Sequence, residues 1–247
     1  MKLTKLEPKF IKKHNPRIGL ITLASDFRIE KDFNNILHGK AIDLYSNRIK
    51  SYNPLTNEKL KKMADDIPEI TENILPNLKL DCVAYGCTSG TIAAGYKSIY
   101  DKVNLAKPNT KVTTPITSTI NALQALNINK LSIFTPYTDE INQSVIKYFK
   151  QENVEISELS YFDIASDLDI GKVDPEYLFE VLSKKDLSKS DALFVSCTAL
   201  PVLSIIKDLE KKLGKIILSS NQTLIWDTLK QIKYENKIKG YGELFNN

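Results

Sequence analysis

Histidine is nearly absent from this chain: 247 residues contain two, His14 and His38, together with three cysteines, two methionines and one tryptophan. Little is therefore at hand for a metal centre, because neither histidine neighbours a cysteine and Cys82 and Cys87 bracket an apolar run where a zinc knuckle needs a two-residue spacing. Three thiols are too few, and an odd number, for a disulfide framework; in a reducing compartment they read as buried or catalytic groups. No apolar run reaches the roughly 18 to 20 residues of a membrane-spanning helix. The opening stretch, Met1 to Pro8, lacks a signal-peptide core, so no membrane partner and a cytoplasmic location are expected. The net charge of +4 comes from lysines interleaved with acids; the short runs around Lys59 to Lys62 and at Lys211-Lys212 read as solvated faces, not a nucleic-acid surface. The basic stretch from Lys2 to Lys13 has no assigned role, and a homo-oligomer is compatible with the chain.

What is present suffices for proper cores, with 42% of residues hydrophobic and 9% aromatic. Apolar runs predict strands at Arg17 to Leu23, Ala41 to Arg48, Cys82 to Gly86, Lys111 to Thr113, Lys130 to Thr135, Val154 to Leu159, Ala192 to Ser196 and Lys215 to Leu218. Amphipathic stretches between them predict helices, among them Arg28 to Leu37, Asn53 to Asn73 with a break at Pro68, Pro115 to Leu126, and one after Cys197 with Pro201 in its first turn.

Half-way along, the pattern restarts. Lys130-Leu131-Ser132-Ile133-Phe134-Thr135 repeats the chemical types of Arg17-Ile18-Gly19-Leu20-Ile21-Thr22, 113 positions on, and Asp191 to Thr198 repeats Asp81 to Thr88, 110 positions on. Such a duplication, with right-handed crossovers, implies an α/β protein of two similar parallel-sheet domains, expected at 1–113 plus 215–247 and at 114–214. Ligands of open parallel sheets bind beyond the carboxyl ends of the strands. Asp26, Cys87, Thr114, Tyr137, Cys197 and Asn221 all fall at such ends, so two facing domains would gather them around one cleft.

The duplicated Cys-Thr pairs carry the chemistry. A thiol at the first turn of a helix meets the positive end of the helix dipole and free N–H groups, which favour thiolate. Thr88, Ser89, Gly90 and Thr91 after Cys87, and Thr198 and Ala199 after Cys197, are small or hydroxyl-bearing, so a carboxylate can approach those N–H groups. With no histidine nearby, the two cysteines are themselves the most economical acid and base. Cys82 reads as a small core residue. Asp26 either orients a thiol, binds an amine or caps the following helix; Tyr137 either donates to a carboxylate or packs; Asn221 either binds or caps.

Arg17-Ile18-Gly19-Leu20-Ile21-Thr22 with Asp26 and Glu30, Cys87-Thr88-Ser89-Gly90-Thr91, Thr135-Pro136-Tyr137, Ser196-Cys197-Thr198-Ala199-Leu200 and Ser220-Asn221-Gln222 resemble the aspartate/glutamate racemase superfamily. Within it the likeness is to the maleate cis-trans isomerases and arylmalonate decarboxylases, and particularly to the ectoine-utilisation proteins of that branch. The resemblance implies a pseudo-twofold pair of flavodoxin-like domains with the active site between them, no metal or organic cofactor, and a small carboxylate or amino acid as substrate. It also implies Cys87 and Cys197 as the catalytic pair, with Thr88, Ser89, Tyr137 and Thr198 holding carboxylate oxygens. Arylmalonate decarboxylases keep only the second cysteine, so Cys87 argues against decarboxylation, the third activity of the group. Asp26 stands where maleate isomerases usually have Asn, and Asp167 falls near another Asn position; a carboxylate there repels a substrate carboxylate and welcomes an ammonium. A protein that binds a small acid without converting it, as sensor or carrier, is the remaining class, and its thiols would react slowly with alkylating agents where an enzyme's would react fast.

Overall fold

The computed structural model describes Met1 and residues 3–246. Lys2, the first of the basic stretch, lies outside them; the rest of that stretch is exposed and carries no helix or strand. The described residues form eight strands: β1 (Arg17–Leu23), β2 (Asp43–Ile49), β3 (Cys82–Gly86), β4 (Lys111–Thr113), β5 (Lys130–Thr135), β6 (Glu155–Tyr161), β7 (Ala192–Val195) and β8 (Ile216–Ser219). Eleven α-helices lie between and after them: α1 (Ile29–Leu37), α2 (Asn57–Met63), α3 (Ile67–Glu72), α4 (Thr88–Ala94), α5 (Tyr96–Ala106), α6 (Pro115–Ala125), α7 (Asp139–Gln151), α8 (Asp167–Gly171), α9 (Pro175–Ser183), α10 (Ile206–Leu213) and α11 (Ser220–Gln231).

The strands form two four-stranded, wholly parallel sheets in the orders β2-β1-β3-β4 and β6-β5-β7-β8. This is the flavodoxin-like order, written twice. The inner strands β1, β3, β5 and β7 are almost wholly buried, as apolar runs covered by helices on both faces must be. Phe194 on β7 is fully buried and meets Phe149 of α7 edge-on, ring centroids 5.8 Å apart. Phe194→Ala is expected to cost about 3–5 kcal/mol. Urea unfolding would measure this, and a cost near zero would contradict the packing.

Two expectations are corrected. Residues 216–219 pair with β7 and so belong by hydrogen bonding to the second sheet, although 215–247 was expected with the first domain. The short apolar run reads alike for either sheet, and only its neighbour decides. The chain crosses over immediately afterwards: α11 lies along α6, with Thr223 Oγ1 3.0 Å from Thr119 Oγ1, and reaches β4 through Thr228 Oγ1, 2.7 Å from Thr113 Oγ1. Ser220 to Leu229 are all buried, yet many are polar, because their hydroxyl and amide groups bond across this junction. The second correction is that Pro201 opens no helix. Residues 197–205 form turns, and α10 starts only at Ile206.

Candidate active site

Cys87 caps α4. Its backbone is extended (φ −145°), and its Sγ accepts from the Gly90 N–H at 3.2 Å, with the Ser89 hydroxyl 3.9 Å away. Cys197 follows β7 with φ at +111°, a left-handed conformation that costs a non-glycine residue of the order of 1–3 kcal/mol. The two thiols therefore end equivalent strands but occupy different local structures. The expected helix after Cys197 is absent at that point because the chain turns away there.

A short set of bonds ties the two turns together. Ser220 Oγ accepts from Thr88 Oγ1 and from the Cys197 N–H, each at 2.9 Å, and Thr198 Oγ1 donates to the Gly86 carbonyl at 3.4 Å. Residues flanking one cysteine thus touch residues flanking the other. Tyr137, held through its carbonyl by Asn142 Nδ2 at 3.1 Å, places its hydroxyl 3.4 Å from Ser196 Oγ and beside Cys197. Asn221 Nδ2 donates to Asp32 Oδ2 at 2.7 Å and to the Thr198 carbonyl at 2.8 Å. Asp26 Oδ1 accepts from the Arg28 and Ile29 N–H groups at 2.7 and 3.0 Å, so the helix-capping reading of Asp26 holds for one of its oxygens. All eight residues singled out from the sequence, Cys87, Cys197, Asp26, Thr88, Ser89, Tyr137, Thr198 and Asn221, are at most 5% exposed.

Four residues escaped the sequence reading of the site. Ser220 looked like part of a capping run, and only the crossover of α11 brings it to both cysteines. Asp32 sits on α1 next to the buried Phe33, a carboxylate at the edge of an apolar face, which was a legible signal. Ser25 donates to Asp167 Oδ2 at 2.6 Å across the cleft. Tyr85 looked like core, but its hydroxyl is buried without a partner; it and Cys87 Sγ both lie within 3 Å of where a Gly90 Cβ would be, at 2.9 and 2.8 Å.

Loops close over the cleft. Arg28 Nη2 donates to the Gly171 carbonyl at 2.9 Å, the Leu55 N–H to the Ala165 carbonyl at 3.1 Å, and the Asp167 N–H to Asn53 Oδ1 at 3.4 Å. A cavity of about 390 Å³, lined by Trp226, Leu229, Tyr234 and Ile238 among others, contains none of the site residues.

Burial sets the electrostatics and reverses the expectation of a resting thiolate. It pushes the Cys87 thiol up to about 12; the Gly90 N–H opposes this and the Asp167 charge reinforces it. Burial likewise drives Cys197 well above its ordinary value, with Asp167 next in effect. The dipole of the seven-residue α4 is outweighed. Burial also raises Asp26, raises Asp167 to about 6 and raises Asp32 to about 7. A folded carboxyl with a raised pKa binds protons that the unfolded chain has already released. The resulting stabilisation is complete below about pH 4 and is lost as pH rises through about 6 for Asp167 and about 7 for Asp32. Thermal melts between pH 4 and 8 are expected to show the unmodified protein losing more stability over that range than an Asp167→Asn variant. Equal pH slopes would refute the burial of this carboxyl as an ion.

Twin parallel sheets whose thiol-bearing turns are bonded to one another define a two-domain α/β protein. A family model for arylmalonate decarboxylase matches residues 87–245. The maleate isomerase of Geobacillus stearothermophilus is 24% identical over 245 residues, spanning 93% of this chain and 97% of that protein. Among solved structures, the maleate isomerase of Pseudomonas putida covers 93% of this chain and 98% of its own with a TM-score of 0.85 at 20% identity. The Nocardia farcinica maleate cis-trans isomerase, solved as a cysteine-to-serine mutant with a covalently bound succinylcysteine intermediate, has the same score, identity and coverage of both chains. The chain belongs to the arylmalonate decarboxylase family, in the branch that includes the maleate isomerases, and is an enzyme of the isomerase class. Among the described residues no helix is long and apolar enough to cross a membrane.

Proposed function

We propose that this protein is a cofactor-independent isomerase that works at the carbon beside a carboxylate of a small acid, with Cys87 and Cys197 as a thiolate and thiol pair. The observation that supports this most directly is the Ser220 hydroxyl, which bonds the residue after Cys87 and the backbone of Cys197 at once and so joins the two turns that carry the thiols. One thiol gives up its proton to become the nucleophile or base; the other delivers a proton to the substrate. Ser89 and Tyr137 bring hydroxyl groups to the pair that can hold carboxylate oxygens, whereas Thr88, Thr198 and Asn221 would first have to give up the donations they make within the protein. Since both thiols rest protonated, substrate binding itself must supply what ionises one of them.

Two outcomes fit this site. In cis-trans isomerisation the thiolate adds to one carbon of a double bond, the remaining carbon–carbon bond rotates, and the thiolate leaves again. In racemisation or epimerisation the thiolate removes the α-proton, and the opposed thiol returns one to the other face. The relatives named maleate isomerases favour the first, and the buried acids of the cleft favour the second. Proton NMR in deuterated buffer separates them: fumarate signals from maleate establish the first, loss of an α-proton signal from an amino acid the second. Carbon dioxide release from a substituted malonate, with neither of these, would replace both by decarboxylation. Binding of these acids with no conversion would leave a small-acid-binding protein and overturn the proposal.

A further inference from the structure

One hydroxyl beside a reacting sulfur is unused. Tyr85 lies on β3, two residues before Cys87; it is fully buried, and its Oη has no hydrogen-bond partner among the described residues. Buried hydroxyls are ordinarily paired, because a donor taken out of water and left unpaired costs stability. Packing alone does not call for this oxygen, since a phenylalanine ring would fill the core as well.

The neighbour that gives the oxygen a use is Cys87. A Cβ on Gly90 would stand 2.9 Å from Tyr85 Oη and 2.8 Å from Cys87 Sγ, so oxygen and sulfur flank one point at the first turn of α4. Cys87 is also the one ionisable group whose charge adds to burial in raising the Tyr85 hydroxyl, which therefore keeps its proton and can only donate it in a hydrogen bond. The sulfur needs such a donor. Its present ones are the Gly90 N–H at 3.2 Å and the Ser89 hydroxyl at 3.9 Å, a thin supply for a buried anion. A thiol is a weak acceptor, and Tyr85 does not bond it; a thiolate is a strong one. The second half solves the same problem differently. The position 110 residues after Tyr85 is Val195, buried and apolar, and Cys197 has the Tyr137 hydroxyl beside it instead.

Resting on the isomerase reading above, we infer that Tyr85 is the donor that holds Cys87 as thiolate: once the sulfur has lost its proton, the Tyr85 O–H closes on it and makes the bond that the resting site lacks. Tyr85 itself transfers no proton. Substrate binding starts the ionisation, and the phenol stabilises its product and not the resting thiol, which shifts the balance toward the reactive form.

Tyr85→Phe removes the oxygen and keeps the ring. Alkylation of Cys87 by iodoacetamide without substrate, followed between about pH 8 and about pH 10 with the modified cysteine identified by mass spectrometry, reads the thiolate fraction. The variant is expected to react about tenfold more slowly at each pH, as for a thiol pKa raised by about one unit. An effect through access would run the other way, because loss of the oxygen opens the packing beside the sulfur. With the substrate found by NMR, kcat should fall about tenfold at unchanged KM, and the melting temperature should hold or rise, since the resting state loses no bond. Alkylation as fast as in the unmodified protein would overturn the inference. So would a raised KM at unchanged kcat, which would give the hydroxyl to the substrate, or a clear fall in melting temperature, which would give it to packing. Failure of the isomerase reading looks different: the alkylation difference stays, but neither protein turns over any of the acids.

Discussion

Cys87→Ala and Cys197→Ala are each expected to lower turnover by about a thousandfold or more, the scale of losing a positioned acid or base in a site that works by proton transfer or covalent addition. Each thiol is 5% exposed or less, so neither variant leaves room for a bulk water to take over the missing role. The double variant should be little worse than either single one, because the pair acts as a unit and removing one member already stops the cycle. Steady-state rates on the substrate found by NMR measure this. Residual activity within tenfold of the unmodified enzyme in either single variant would sink the two-thiol mechanism. Circular dichroism should be unchanged, since an alanine at either position loses only the sulfur atom.

The second large effect is expected from a single methyl group. A Cβ built on Gly90 would stand 2.8 Å from Cys87 Sγ and 2.9 Å from the Tyr85 hydroxyl, closer than real contacts allow, and 3.0 Å from Met63 Cε, a tight contact. Gly90 also donates its N–H to that sulfur, so Gly90→Ala would push the thiol away from the group that holds it. Displacement of a reacting atom by about 1 Å can cost a hundredfold, and a loss of about that size in kcat is expected, with little change in secondary structure. Activity within twofold of the unmodified enzyme would show that Cys87 has freedom to move which the packing denies it. Alkylation of Cys87 by iodoacetamide gives an independent readout; the burial and raised pKa of the thiol replace the expectation of fast alkylation in an enzyme by slow alkylation in the unmodified protein, so a slow rate does not mark a carrier. Alkylation should accelerate in Gly90→Ala if the sulfur is expelled toward solvent.

All eight strands were legible, the inner ones as short apolar runs bounded by polar or turn residues, and the division into two similar halves followed from the duplication. The ends of those strands, and with them the site residues, could be named for the same reason. What escaped depends on contacts distant in sequence. Ile216 to Ser219 has no feature that says which sheet it joins, and Ser220 gains its place at both cysteines only through the crossover of α11. The left-handed turn at Cys197 carries no glycine to announce it, so the motif shared with Cys87 suggested a shared local structure. The state of the thiols was misjudged because a helix terminus is visible in sequence, whereas full enclosure and the approach of Asp167 from the second half are not.

The twofold relation between the halves is broken by where the acids lie. The positions 113 residues after Asp26 and Asp32 are Asp139, which is exposed, and Val145, which is apolar, and the acid that the second half brings to the thiols, Asp167, stands at a different place in its half. On the proposed isomerase reading, a guest between the sheets would then have a preferred heading, although the scaffold itself can nearly be turned end for end. Cys87 would always meet one face of the reacting centre and Cys197 the other, and the forward and reverse reactions would start from opposite thiols. A protein assembled from two similar halves would in this way be made kinetically handed.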